Sequence, residues 1–234
     1  MFLLVSTQIP LELDLNATIY TIVAFEPDSP CVARLFHGSR ITNRGRNMEV
    51  DAIRSREEIS VIKEFLRKKG AGYELLFVMG INTALRIGDL LSLSVGDVVD
   101  AKGEIAPAIT LKEEKTGKIK RFPVNESLRS ALTEYFACQG RRVRSEPLFV
   151  SRKKRALSRY QAWRVLKAAG ESAGLNNIGT HSLRKTFGYH VYKKSGADIG
   201  LVQKLLNHSA SGATLRYIGI DRERMDNVCL ELNL

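Results

Sequence analysis

Cysteine, tryptophan and histidine are scarce in this chain, which has three Cys, one Trp and four His in 234 residues. Cys31, Cys138 and Cys229 lie far apart and are odd in number. That excludes a disulfide-stapled scaffold and a CxxC metal site, and it suits a reducing compartment. With so few cysteines and the histidines scattered, no metal site is assigned. Long apolar runs are missing too, since none approaches the ~18 residues that would cross a bilayer. The opening MFLLVSTQIP lacks a basic flank, and Glu12 and Asp14 follow closely. No signal peptide is read there, so a cytoplasmic location is expected. Repeats, low-complexity tracts and a GxxxxGK[ST] phosphate loop are also absent.

Acidic residues are outnumbered, 25 against 36 Lys and Arg, leaving a formal charge of +11. Such a balance points to a polyanionic partner, although charge alone does not separate DNA, RNA and anionic lipid. The run RRVRSEPLFVSRKKRALSR, from Arg141 to Arg159, contains one acid, Glu146. Its cations Arg141, Arg142, Arg152, Lys153, Lys154 and Arg155 are candidate phosphate contacts; a solvated surface is the ordinary alternative. The hydrophobic share of 44% is enough for a sizeable core.

The grammar of the chain changes near residue 47. Before it, LELDLNATIYTIVAF alternates like a strand, and a polar tract follows. From Ser55 onward amphipathic helices dominate. Ser55 and Glu58 form a capping box, Ile59, Ile62 and Leu66 share a face, and Gly70 stops that helix. Further helices are predicted from Tyr73 to about Thr83, from Ile87 to Leu93, and from about Glu126 to Cys138. Others start after Ser158, at Thr180 and after Asp198, with a last short one over SGATLRYI. Between Val95 and Val124, β-prone runs flank a turn at Thr116–Gly117. The expected fold is therefore mainly α with a small antiparallel β-sheet, an α+β arrangement.

Four patterns could carry chemistry. His181 and Arg184 leave the same face of a predicted helix; an Arg clamps phosphate oxygens while an imidazole moves a proton. Arg86 opens TALRIGDLLSL with Asp89 one turn on, close enough to orient it. The turn EEKTGK puts Lys115 and Lys118 at a hairpin tip, where a lysine could donate a proton. LLNHSASGATLRYIGI holds His208 and Tyr217. Each has a plainer explanation when taken singly: a solvated HxxR face, a surface ion pair, a soluble turn, a packed tyrosine.

Their combination is more specific. Arg86, Lys115, His181-x-x-Arg184, His208 and Tyr217 occur in the order and approximate spacing of the tyrosine recombinase, or phage integrase, family. TALRIGDLLSL resembles that family's first arginine box, and EKTGKIKRFPV its catalytic β-hairpin. HSLRKTFGYHVYKKSGADIGLVQKLLNHSASGATLRY resembles the second box nearly end to end. The resemblance runs from about Arg54 to Ile220 and implies a tyrosine recombinase catalytic domain over 48–234, with 1–47 unassigned.

It also implies a mechanism. Tyr217 would attack the scissile phosphate of double-stranded DNA, giving a 3′-phosphotyrosyl bond and a free 5′-hydroxyl, with no cofactor and no metal. Arg86 and Arg184 would hold the non-bridging oxygens, and His181 would act as base towards Tyr217, whose phenol is mostly protonated at neutral pH. Lys115 would be the acid for the leaving oxygen, with Lys118 as the alternative. His208 would bond a phosphate oxygen, and Asp89 would orient the pocket. The implied partners are DNA, further copies of the chain in a tetramer, and an accessory DNA-bending or directionality protein; no membrane is involved.

Some features depart from the family pattern. Asn207 stands where glycine is common, and Lys185 where histidine is common. The first 47 residues are shorter than the helical core-binding domain of full-length relatives, so weak, salt-sensitive DNA binding by this chain alone is expected. Met48, just before the family-like region, is a second candidate start. In the tail, Met225, Val228, Leu230 and Leu232 could pack on the chain itself or, as in relatives, dock onto the next subunit. The rival readings are a non-cleaving DNA-binding remnant and a type IB topoisomerase. Supercoil relaxation without a specific site would favour the latter.

Overall fold

A computed structural model describes residues 50–232 except Thr116, Arg141 and Arg152. All of these belong to the second of two units into which the chain divides, Asn47–Leu234. The strand expected in LELDLNATIYTIVAF lies outside the described residues.

The first helix, α1 (Arg56–Lys69), begins with the expected box: Ser55 accepts from the Glu57 and Glu58 amides, and Glu58 reaches back to the Ser55 amide. It buries Ile62 and Leu66. Gly70, at φ 141°, turns the chain directly into α2 (Ala71–Thr83), which therefore starts two residues before the predicted Tyr73. This helix is apolar on nearly every side, burying Leu75, Leu76, Phe77, Val78 and Met79. A helix without a polar face belongs at the centre of a core, and α2 packs against α1, α4 (Glu126–Gln139) and α6 (Thr180–Lys194). Truncating one of its large side chains, such as Phe77 to alanine, should cost about 3–5 kcal/mol.

The third helix, α3, is short, Ile87–Leu91. It stops before Leu93 because that residue's carbonyl accepts the Leu148 amide at 2.7 Å, and Ser94 bridges to Pro147. The predicted β character of VGDVVDAKGEI yields only a 3-10 turn, Val95–Asp97, and a lone bridge from Val99 to Ile105. The sheet itself is the hairpin of β1 (Ala108–Lys112) and β2 (Ile119–Pro123), antiparallel with Leu111 opposite Lys120. Ile109 and Phe122 point into the core.

The remaining helices are α5 (Arg159–Ser172), α7 (Ile199–Leu206), α8 (Ser211–Ile218) and α9 (Ile220–Leu232). Ser158 caps α5 and Asp198 caps α7, as expected from the sequence. Gly219, at φ 78°, separates α8 from α9. The first turn of α9 is tied down by Glu223, which pairs with Arg54 and Lys193, and by Arg224, which donates to the Tyr192 hydroxyl. Beyond Arg224 the helix leaves the body: Met225, Val228, Leu230 and Leu232 are all at least 60% exposed. Self-packing of the tail, one of the two sequence-based alternatives, is not what the fold adopts. Among the described residues no helix is long and apolar enough to cross a membrane.

Candidate active site

Three helix ends and a hairpin converge on one cavity. Ala84 caps the end of α2 in the left-handed region, φ 55°, a costly conformation for a residue with a Cβ. That turn lets the Ala84 carbonyl accept from Arg184 Nη1 on α6, and the chain then delivers Arg86 to the start of α3. Arg184 Nη2 donates to the Leu206 carbonyl at the end of α7. A buried guanidinium thus sits on two helix C-terminal carbonyls, where backbone dipoles favour a cation.

Asn207 follows in the left-handed conformation at φ 52°, a backbone that a glycine adopts freely and an asparagine tolerates. The turn places His208, whose Nδ1 lies 3.2 Å from the hydroxyl of buried Thr214 on α8. One turn further along α8, the Tyr217 ring meets the His208 ring edge-on at 4.9 Å. Gly188 on α6 is what lets α8 come this close: a Cβ there would fall 2.7 Å from Ile218 Cγ2.

The resulting cavity, about 480 Å³, is lined by Arg86, Lys115, His181, Arg184, His208 and Tyr217, with Asn207, Ser209 and Ala213. All six residues singled out as catalytic in the sequence therefore share one pocket. Lys118 does not line it and donates to Asn207 Oδ1 at 3.3 Å. Asp89 is buried and does not line the pocket; its Oδ1 accepts the Glu114 amide at 3.0 Å and so holds the start of the hairpin turn.

The electrostatics suit an anion. Burial raises the Tyr217 phenol above its ordinary pKa, while the charge and hydrogen bond of Arg184, and then Arg86, pull it down. Partial desolvation lowers His181, aided by Arg184, Lys185 and Arg86. His208 is lowered by desolvation, then by Arg184, Arg86 and Lys120. Both imidazoles are held towards the neutral form while the pocket is empty of negative charge. The Lys185 ammonium lies 5.2 Å from the Tyr217 ring centroid and is not part of the cavity lining. No described group of His, Cys, Asp and Glu has the make-up of a metal site.

Other candidates are placed differently. Arg142 is consumed within the fold: it pairs with Glu146 and donates to the Tyr135 hydroxyl and the Leu148 and Pro147 carbonyls. Its guanidinium braces the loop after α4. Lys153, Lys154 and Arg155 are exposed on the following loop and do not line the cavity. Arg141 and Arg152 lie outside the described residues.

The sequence reading missed Glu113 and Lys120. Glu113 is buried beneath the pocket, 2.9 Å from Arg86 Nη1 and 3.2 Å from Lys120 Nζ. Lys120 also donates to the Leu205 carbonyl, and desolvation lowers its pKa against the pull of Glu113. Strand alternation was the available signal: Ile109, Leu111 and Glu113 share one face of the hairpin, so an inward carboxylate needed a cation.

Comparison with known proteins gives the chain a family. The phage integrase family profile matches residues 53–224. The chain is 42% identical over 175 residues to the probable integrase/recombinase YoeC of Bacillus subtilis, covering 74% of this chain and 92% of that one. It is 31% identical over 166 residues to the tyrosine recombinase XerC of Roseiflexus castenholzii, covering 68% of this chain but about half, 49%, of that protein. The fold matches the crystal structure of XerA recombinase with a TM-score of 0.60 at 21% identity, over 79% of this chain and 65% of that one. The chain belongs to the phage integrase family, the tyrosine recombinases that act site-specifically on DNA.

Proposed function

We propose that this chain cleaves and rejoins DNA through a covalent bond to Tyr217. The observation that carries the reading is the convergence of Arg86, Lys115, His181, Arg184, His208 and Tyr217 on one cavity. The Tyr217 oxygen attacks the scissile phosphorus, the bond to the 5′-oxygen breaks, and a 3′-phosphotyrosyl link forms. His181 takes the phenol proton, and Lys115 gives one to the departing 5′-oxygen. Arg86 and Arg184 offset the charge that grows on the non-bridging oxygens, and His208 bonds one of them. A 5′-hydroxyl from another strand reverses these steps. One phosphodiester is exchanged for another, so no energy source is needed.

The substrate class is double-stranded DNA, gripped through its phosphates by exposed cations, with Lys118, Lys153, Lys154 and Arg155 as candidates. A solved lambda integrase complex of this fold is a tetramer bound to a Holliday junction. We infer a similar assembly here, with the exposed apolar tail of α9 as the contact between copies. An accessory DNA-bending or directionality protein would fit the same scheme, as would a nucleoid-bound cytoplasmic location. Residues 48–234 form the catalytic domain in this reading.

The test is a trapping experiment. Nicked DNA from the genomic junctions of the element is incubated with the chain or its Tyr217→Phe variant, then run on a denaturing gel. A slow protein–DNA adduct is expected with Tyr217 and not with Phe. Measurable DNA binding without any adduct on every junction would overturn the reading.

A further inference from the structure

We infer that Glu113 is a positioning residue for the phosphate clamp, holding Arg86 in place through a buried ion pair. The inference rests on the reading of Arg86 as a group that grips the scissile phosphate.

The Glu113 side chain has 0% exposure, and the facing side chains of Arg86 and Lys120 retain only 23% and 14%. A carboxylate so placed is stable only when cations and donors satisfy it. Its Oε1 accepts from Arg86 Nη1 at 2.9 Å and stands 3.2 Å from the Lys120 ammonium. Arg86 has five N–H donors in a rigid fork. One end of the fork is anchored on Glu113, and the guanidinium also lines the cavity, so the anchor sets the direction in which the other donors point.

The backbone of Glu113 takes part in the same local structure. Its amide donates to the Lys118 carbonyl at 2.9 Å, and its carbonyl accepts the Gly117 amide at 2.9 Å. Glu113 therefore closes the turn that carries Lys115, and the next residue is held by Asp89. A single residue thus closes the hairpin turn with its backbone and holds the first arginine with its side chain. Replacing the carboxylate by an amide keeps the shape but removes the counter-charge that Arg86 and Lys120 share. They would repel, and the Arg86 fork would swing away from the phosphate.

Glu113→Gln tests this with two suicide substrates: the natural phosphodiester, and one with a neutral methylphosphonate at the scissile position. A neutral phosphonate has less need of a guanidinium to offset charge. On the phosphodiester, Glu113→Gln should slow adduct formation by about 10–100-fold, the usual result of misplacing a group by ~1 Å. On the methylphosphonate most of that gap between variant and parent should close. Thermal unfolding and DNA affinity are measured alongside. Should the single variant fail to fold, the comparison is made with Glu113→Gln plus Lys120→Met, which keeps the net charge of the cluster; Arg86 still lacks its ion pair, so a smaller loss with the same dependence on substrate is expected. An equal loss on both substrates, or no loss on the phosphodiester, would overturn the inference. A parent chain that forms no adduct on either substrate would instead fail the reading of the active site on which this one rests.

Discussion

At Tyr217 burial raises the affinity of the phenol for its proton, while Arg184 and Arg86 lower it. The nucleophile stays protonated until a base is at hand, and the base must be neutral to act. His181 and His208 are both lowered from the ordinary imidazole value near 6.5 by desolvation and by the surrounding cations. Neutral imidazole therefore persists to the acid side of ~6.5. Adduct formation at subsaturating DNA, whose pH profile reports the free protein, should hold its rate down to about pH 6.5 and decline only below it, a limb belonging to the two histidines together. A midpoint above ~6.5 would contradict the neutral-base reading of His181. Stability should follow the same sign. The unfolded chain takes up these protons at higher pH than the folded one, so stability present above ~6.5 is lost as pH falls through the two lowered values. Unfolding followed across the same range checks that part, and rates are compared only where the protein is folded. A bound phosphodiester adds negative charge beside both rings, so saturating DNA should move the limb back towards higher pH.

Between elements the decisive contacts are close approaches that no residue pattern announces. Gly188 sets the distance from α6 to α8, and so the distance from Arg184 to Tyr217; its missing Cβ would meet Ile218 Cγ2 at 2.7 Å and Leu206 Cδ1 at 3.1 Å. Gly188→Ala should destabilise the fold by about 1–3 kcal/mol, the usual result of overpacking a core. Adduct formation should fall further than DNA affinity, because the change displaces the nucleophile and leaves the exposed cations alone. Urea unfolding and trapping on the same preparation check both, and an adduct rate that only tracks the folded fraction would refute the positioning argument. The helices themselves were legible because the local signals are physical: Ser55, Ser158 and Asp198 cap their helices, and Gly70 ends α1. The limits of α3 and the loss of strand at Val95–Ile105 were not, since both involve bonds to Arg144, Glu146, Pro147 and Leu148, some fifty residues away. The six pocket residues were legible as an ordered set. Their support was not: the partners of Arg184 are the carbonyls of Ala84 and Leu206, and backbone carbonyls leave no mark in a sequence.

Over the whole molecule two quantities matter, a charge of +11 and an apolar helix end that stands away from the body. The charge predicts binding through phosphates. If about 6–10 phosphate contacts are made, affinity should fall by roughly 10³–10⁵ between 50 and 200 mM salt. A flat salt response in fluorescence anisotropy would argue against a backbone-gripping surface. The tail predicts assembly. Glu223 and Arg224 fasten the start of α9 through Arg54, Lys193 and the Tyr192 hydroxyl, so the chain up to Arg224 keeps its polar ties when the rest is removed. Beyond it, Met225, Val228 and Leu232 recur at helical spacing, with Leu230 also exposed, a pattern that gains free energy by being covered. Deleting everything after Arg224 should therefore leave the unfolding midpoint and single-site DNA binding nearly unchanged. It should also lower the order of the complex formed on a two-site or junction substrate. Size-exclusion chromatography with light scattering reads the second effect. Assembly equal to that of the full chain would remove α9 as the contact between copies and return the exposed stripe to the surface. Loss of assembly with intact binding would make the tail the element that joins one Tyr217 site to the next.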